Sequence, residues 1–110
     1  MPGAGVGSAP VAREVPAAFD WIGRYTADAL TAANWNMGGT AAVRLPQEGD
    51  AVHFGLVTGP MTEEGPSYTS PNCINFDSSR GDYLSVEVSS GYTGTVTLNG
   101  FLRTKYLTVG

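Results

Sequence analysis

The sequence predicts an all-β fold, built either as a short β-solenoid or as a compact β-sandwich. Two stretches near the C-terminus, Ser85–Val88 and Thr95–Leu98, alternate with the period of two that is typical of strands. Turn-forming residues are frequent, with 15 glycines and 7 prolines among 110 residues. Such a composition favours short strands joined by many turns over long helices.

A short segment that occurs twice in the sequence, which we call the echo, is the observation that indicates a solenoid fold. The segment Tyr83–Val86 (YLSV) recurs as Tyr106–Val109 (YLTV). The spacing between the two copies falls within the periods of solenoid repeats, in which each coil returns the same type of side chain to the same core position. An antiparallel sandwich with two similar strands explains the same echo, so both architectures stay open.

The chain is expected to divide into an N-terminal arm, residues 1–16, and a single β-rich domain, residues 17–110. The arm contains three glycines and three prolines, a composition that predicts a flexible tail or an extended arm that orders across a neighbouring subunit. Within the domain, Gly59–Asn72 carries three prolines and two glycines and is expected to be a long loop. Such a length is unusual without a function or a contact.

The remaining elements follow from local patterns. Phe19–Gly23 predicts a short strand, and Thr26–Ala33 is the one plausible helical turn. Pro46–Asp50 (PQEGD) is a turn by composition. The strand Ala51–Phe54 follows, with His53 on the face opposite its two apolar neighbours. The side chains expected to act as structural anchors are Trp21, Trp35, Phe54, Val86, Val96, Leu98 and Leu107.

Charge and hydropathy exclude two classes of partner. The net charge is −4 and the five arginines are scattered, whereas nucleic-acid binding usually requires a basic patch. No apolar run approaches the length of a membrane span. The N-terminal arm lacks the basic and apolar regions of a signal peptide. We therefore expect neither a nucleic-acid partner nor a membrane partner.

The residues that could act as a nucleophile and a base do not form a known motif. His53 is the single histidine and Cys73 the single cysteine, and the long loop separates them in the sequence. Nucleophilic catalysis requires a base beside the nucleophile, and no signature supports such a pair here. His53 is expected on the surface, and Cys73 as a small buried side chain.

Acidic residues offer no stronger candidate. Asp77 with Asp82, or the pair Glu63–Glu64, could form a carboxylate pair, but acidic residues in polar loops are usually solvated. The segment Asn75–Asp82 alternates possible oxygen ligands but lacks the glutamate and spacing of a calcium loop. Arg80–Asp82 spells RGD, which a turn before a strand explains without a receptor. We expect no catalytic, cofactor-binding or metal-binding residues.

Three segments in order resemble large bacterial β-helical surface proteins. They are Phe19–Gly23 (FDWIG), Ala33–Trp35 (ANW) and Pro46 with Gly49–Phe54 (GDAVHF). In that family an aromatic W-x-G block and an N-W pair precede a P-x-x-G-D-x-V-x-F turn and strand. The downstream SSGYTGTVTLNG and YLTVG are similar to the coils of these proteins, and small virion structural proteins of some tailed phages carry similar sequences.

The resemblance extends over Phe19–Gly110 and implies an architecture more than an activity. By this resemblance, residues 32–54 are the entry to a β-solenoid, whose aromatic side chains would cover the end of the first coil. The Gly-Asp turn would begin the first strand. The chain departs from the family because it lacks a secretion signal and contains only about two coils, whereas a free-standing solenoid needs at least about three repeats.

The resulting expectation is a non-enzymatic structural protein of a repetitive assembly. The favoured hypothesis is a phage virion component that decorates a capsid or a tail, forms a homo-oligomer, and binds its own copies or a capsid protein through the arm and the long loop. The alternatives are a fragment of a secreted bacterial β-helix adhesin, or the N-terminal part of a polysaccharide-active β-helix enzyme. Either alternative would place the protein outside the cell or on the bacterial surface.

Overall fold

The computed structural model describes residues 15–57 and 72–110. Strands dominate these ranges, so the expectation of an all-β fold is confirmed. The strands are β1 (Ala18–Trp21), β2 (Trp35–Met37), β3 (Thr40–Ala41), β4 (Ala51–Phe54), β5 (Cys73–Phe76), β6 (Tyr83–Val88), β7 (Val96–Leu98) and β8 (Thr104–Val109), with a single-turn 3-10 helix at Ala32–Asn34.

The strands form two sheets whose long-range pairs are parallel. The larger sheet has the order β3-β2-β1-β4-β6-β8. Within it, β1, β4, β6 and β8 pair in parallel, while β2 and β3 add antiparallel strands beyond β1. The smaller sheet consists of β5 and β7, also parallel. Parallel neighbours need a long crossover; the crossover from β4 to β6 contains β5, and that from β6 to β8 contains β7.

The parallel register arranges side chains in columns that run across the larger sheet. Phe19 on β1 pairs with Val52 on β4, Val52 with Val86 on β6, and Val86 with Leu107 on β8. Paired residues of parallel strands point to the same face of the sheet. This column therefore places one apolar side chain per strand on the same face of the sheet.

The core lies between the two sheets and is mainly aromatic. The rings of Phe54 from the larger sheet and Phe76 from the smaller one meet edge to face, with centroids 5.3 Å apart. Trp35 lies 6.0 Å from Phe76 and 5.8 Å from Phe54. Aromatic side chains bury a large area each, so this cluster joins the sheets in a small domain.

The helical turn expected over Thr26–Ala33 is largely absent. Only residues 32–34 are helical, because the backbone before them bonds to the second sheet instead. Ile74 N–H donates to Ala27 C=O at 2.7 Å, and Ala29 N–H donates to Ile74 C=O at 2.9 Å. A strand-like bridge replaces the helix here.

The four-residue echo does not mark the structural register. Tyr83 pairs with Thr104, and Tyr106 pairs with Ser85, so the two tyrosines that begin the echoed segments do not face each other. The two period-two stretches also lie in different sheets, since β6 pairs with β4 and β8 while β7 pairs with β5.

Two predicted segments lie mostly outside the described residues. Of the arm, residues 1–14 are not described, and of the long loop, residues 59–71 are not described. Among the residues that are described, no helix has the length and apolar character needed to cross a membrane.

Candidate functional site

Asn34 organises the chain that closes the β1 end of the core. Its side chain is buried and accepts hydrogen bonds from the N–H groups of Tyr25 and Thr26 at 2.7 and 3.0 Å. Its amide group donates to the hydroxyl of Thr26 and to the C=O of Asp28. A buried side-chain amide whose oxygen and nitrogen are both hydrogen-bonded holds an irregular loop in one conformation.

Trp35 fills the space that this loop encloses. The side chain is fully buried, and its indole N–H donates to Ala29 C=O at 2.9 Å. Its ring meets Trp21 edge to face with centroids 5.0 Å apart. The N-W pair thus closes the β1 end of the core. Asn34 forms hydrogen bonds with backbone groups of the loop, and Trp35 buries a large apolar side chain beneath it.

Asp50 plays a similar part in the PQEGD turn. Its buried carboxylate accepts from the N–H groups of Ala17 and Gln47, each at 2.8 Å. It also pairs with the guanidinium of Arg44 at 2.7 Å, which lies over the Phe19 ring. These contacts tie the turn before β4 to the residue before β1 and cover this end of the core.

The opposite end of the core is exposed in the described part of the chain. Along the apolar column, Val52 is 1% and Val86 3% exposed, but Leu107 is 59% exposed. The smaller sheet repeats the pattern, because Phe76 is 2% exposed and its partner Leu98 is 44% exposed. We call the apolar surface formed by Val96, Leu98, Leu107 and Val109 the β7–β8 end.

The outer edge of β8 has no strand beside it among the described residues. Gly110 N–H donates to Val88 C=O at 2.8 Å. Backbone groups of a parallel strand alternate between its two sides, so the groups of β8 that do not bond to β6 point to its outer edge. The β7–β8 end therefore combines exposed apolar side chains with backbone donors and acceptors that can pair with another strand.

Charge is sparse at the β7–β8 end. Lys105 projects from β8, and Arg103 pairs with Asp82 at 3.1 Å on the exposed surface. A shallow cleft opens beside this pair, lined in part by Tyr83, Leu102 and Leu107. Val96, Leu98, Leu107 and Val109 are uncharged, whereas Lys105 lines the same cleft as Leu107.

A second cluster lies on the outer face of the larger sheet. His53 on β4 is 2.9 Å from Asp20 on β1 through Nδ1, and 2.8 Å from the Ser89 hydroxyl through Nε2. Ser89 follows β6 and donates its N–H to Phe54 C=O at 2.9 Å. We call Asp20, His53 and Ser89 the His53 cluster.

Sequence reasoning did not connect these three residues. Asp20 and Ser89 lie 33 and 36 residues from His53, and no local motif joins them. The parallel register joins them, because Asp20 pairs directly with His53, and His53 pairs with Glu87, which closely precedes Ser89. The prediction that His53 faces away from its apolar neighbours agrees with its half-exposed side chain.

The seven expected anchors fall into two groups. Trp21, Trp35, Phe54 and Val86 are buried in the core, while Val96 is half-buried. Leu98 and Leu107 are exposed. The period-two pattern identifies the inward face of a strand but not its position in the sheet, so it could not separate strands with a neighbour on both sides from those at a sheet edge.

Cys73 and His53 do not form a pair. Cys73 is buried in the core cluster, and burial raises the pKa of its thiol well above the ordinary range, with the nearby Asp28 charge adding to the effect. Both ring nitrogens of His53 bond to the other two members of the His53 cluster. A protonated, buried thiol is a poor nucleophile.

The arginine and the aspartate of the RGD tripeptide both contact other parts of the chain. Arg80 donates its Nε–H to Pro46 C=O at 3.1 Å, and Asp82 pairs with Arg103. In the segment Asn75–Asp82, which alternates possible calcium ligands, the Asp77 carboxylate accepts a hydrogen bond from Ser79 N–H at 3.0 Å. Within residues 15–57 and 72–110, no group of three histidine, cysteine or acidic side chains could hold a metal ion.

Comparison with known proteins finds no matching family model, no matching curated protein and no matching solved structure.

Proposed function

We propose that this chain is a structural protein of a repetitive assembly, with a short β-solenoid fold closed at one end and joined to a neighbour at the other. The observation that carries the proposal is the step in burial along one column, from Val86 to Leu107. Side chains of the same type in the same register are covered on β6 and uncovered on β8.

The parallel register supports the solenoid part of the proposal. Four strands stack in parallel with one apolar column running through all of them, as in coils whose inward positions repeat. A sandwich of the immunoglobulin type is built from antiparallel pairs, whereas antiparallel pairs among the described strands are confined to those that β2 makes with β1 and β3.

The neighbour proposed for the β7–β8 end is a second copy of the chain. Head-to-tail stacking is disfavoured, because β2 and β3 cover the β1 edge and leave the two-residue strand β3 as the other edge of the larger sheet. Two copies can instead meet through their β7–β8 ends about a two-fold axis, the commonest symmetry of protein dimers. The apolar side chains at this end would then meet those of the second copy.

The remaining parts of the proposal rest on the sequence. The arm (residues 1–16) and the loop Gly59–Asn72 would supply contacts to further copies or to a capsid protein, because such segments can bury large areas by ordering on contact. The placement in a phage virion, as a capsid or tail decoration, rests on the resemblance of residues 19–110 to virion structural and bacterial β-helical proteins.

The experiment is light scattering over a concentration range on the full chain and two lysine variants. Leu107→Lys places a charge on the inward column at the β7–β8 end. Thr108→Lys, the matched control, places it one residue away on the outer column beside Glu87. We expect a dimer in the wild type and the control, and a dissociation constant at least about ten-fold higher for Leu107→Lys, because an unpaired charge would be buried.

Two results would count against this proposal. A wild type that stays monomeric at all concentrations would show that the β7–β8 end does not join copies of the chain. Equal weakening by both lysine variants would place the contact elsewhere.

A further inference from the structure

The His53 cluster has the mutual geometry of a nucleophile, a base and a group that orients the base. The Ser89 hydroxyl lies 2.8 Å from Nε2 of His53, and Nδ1 lies 2.9 Å from Asp20 Oδ1. With the proton on Nδ1 donated to Asp20, Nε2 is free to accept the proton of the serine hydroxyl. This is the arrangement by which an imidazole activates a serine.

Three elements hold the cluster in place. Asp20 and His53 come from the paired strands β1 and β4. Ser89 is fixed by its own N–H bond to Phe54 and begins a turn closed by Tyr92 N–H donating to Ser89 C=O at 3.0 Å. The positions therefore follow from backbone pairing rather than from the chance meeting of mobile surface side chains.

Gly55 makes room for the imidazole. A Cβ atom on this residue would lie 2.6 Å from Cε1 of His53, closer than atoms can approach. The ring is thus packed against the backbone of the strand end, and only glycine allows it to stay there. A larger residue would displace the ring, since the ring is the movable end of a flexible side chain.

The turn beside Ser89 offers groups for a bound ester. The N–H groups of Ser90 and Gly91 make no backbone hydrogen bond to another described residue, so they can donate to an oxyanion. The exposed side chain of Leu56 lies beside Gly91, with 4.0 Å between its Cβ and the position of a Cβ on the glycine. An apolar acyl group can rest there.

We propose that Ser89 is a nucleophile for acyl transfer from small esters with short apolar acyl groups, with His53 as its general base and Asp20 as the residue that positions the imidazole. Ser89 Oγ attacks the carbonyl carbon while its proton passes to His53 Nε2. The tetrahedral intermediate expels the alcohol, which takes that proton. Water then attacks the acyl-serine, releasing the carboxylic acid and restoring the hydroxyl.

Asp20 and His53 lie on the outer face of the larger sheet, whereas Ser90 in the turn lies close to Gly110 at the end of β8. The half-exposed Asp20 and His53 interact in a partly solvated setting, which weakens their electrostatic coupling. We therefore expect slow turnover and weak binding of a small ester.

The test is covalent labelling of the full chain with a fluorophosphonate, which forms a phosphorus–oxygen bond to an activated serine and releases fluoride. Peptide mass spectrometry should find the adduct at Ser89. His53→Ala should slow its formation by about 100-fold, the lower end of what a general base contributes, and added imidazole should restore part of the rate. Asp20→Asn should slow it by about ten-fold, less than in a buried triad.

Two further variants separate reactivity from folding. Gly55→Ala should displace the imidazole and abolish labelling while the melting temperature changes little. Thr93→Ala, which removes an exposed hydroxyl just after the same turn, should label at the wild-type rate. The proposal is overturned if Ser89 is not labelled, if other hydroxyls label equally fast, or if His53→Ala and Gly55→Ala label as fast as the wild type.

Discussion

The carboxylate of Asp50 is fully buried and lies 2.7 Å from the guanidinium of Arg44, which is itself mostly covered. The same carboxylate accepts two backbone N–H groups from separate segments of chain, at Ala17 and Gln47. One acidic side chain thus links the start of β1, the turn before β4 and a cation that packs on the core. The ion pair between Asp82 and Arg103 joins the same two residue types on the exposed surface.

Asp50→Asn should destabilise the protein by about 3 kcal/mol, because it leaves a buried cation without its counter-charge. The matched control is Asp82→Asn, which breaks the exposed pair and should cost less than about 1 kcal/mol. Urea unfolding followed by tryptophan fluorescence measures both. Equal costs for the two variants would mean that burial of Asp50 does not strengthen its contacts.

Trp35→Ala should cost about 3–5 kcal/mol or prevent folding, because it removes a fully buried aromatic side chain from the centre of the cluster. Phe101→Ala is the control, since Phe101 is a large aromatic side chain that is exposed, and its loss should cost little. Thermal unfolding by circular dichroism gives both values. An unchanged melting curve for Trp35→Ala would contradict the closing role of the N-W pair.

Stability should fall in alkali as Tyr83 ionises. Its hydroxyl donates to Asp77 C=O at 2.6 Å and its ring stacks on Phe76, and burial raises its pKa from 10.0 to about 12. The unfolded state loses this proton first. The contribution of Tyr83 is therefore complete below pH 10 and lost as the pH rises through about 12.

The comparison variant for this effect is Tyr83→Phe. It should be less stable at neutral pH by about 1 kcal/mol, because the Asp77 carbonyl loses its donor. Tyr83→Phe should also lose less stability than the wild type as the pH rises from 10.0, the ordinary tyrosine pKa, to about 12, the raised pKa of Tyr83. Both chains keep Cys73, so its own ionisation cancels in the comparison. Parallel losses in the two proteins would show that Tyr83 does not cause the alkaline effect.

Cys73 should not react with a thiol reagent such as Ellman's reagent in the folded protein. The thiol is buried, and its raised pKa keeps it protonated, so neither access nor the thiolate is available. Denaturant should release one reactive thiol per chain, the single cysteine of the sequence. Rapid full reaction under native conditions would contradict the burial of Cys73.

Several features of the protein could be read directly from the sequence. The all-β class follows from composition and from the alternation at residues 85–88, because strand periodicity is a local property. The faces of β4 were also predictable, with His53 opposite Val52 and Phe54, since alternate side chains of a strand point to opposite sides. Local chemistry likewise placed a turn at Pro46–Asp50.

Strand pairing and side-chain exposure depend on the register of the strands and on their position in the sheet, and only the tertiary structure decided them. The echo suggests that Tyr106 pairs with Tyr83, but in the sheet Tyr106 pairs with Ser85 and Tyr83 pairs with Thr104. The exposure of Leu107 and Leu98 depends on which strands lie at the edge of their sheet, and no period reveals this. The His53 cluster exists only because parallel pairing brings together Asp20, His53 and the turn at Ser89, residues that are distant in sequence.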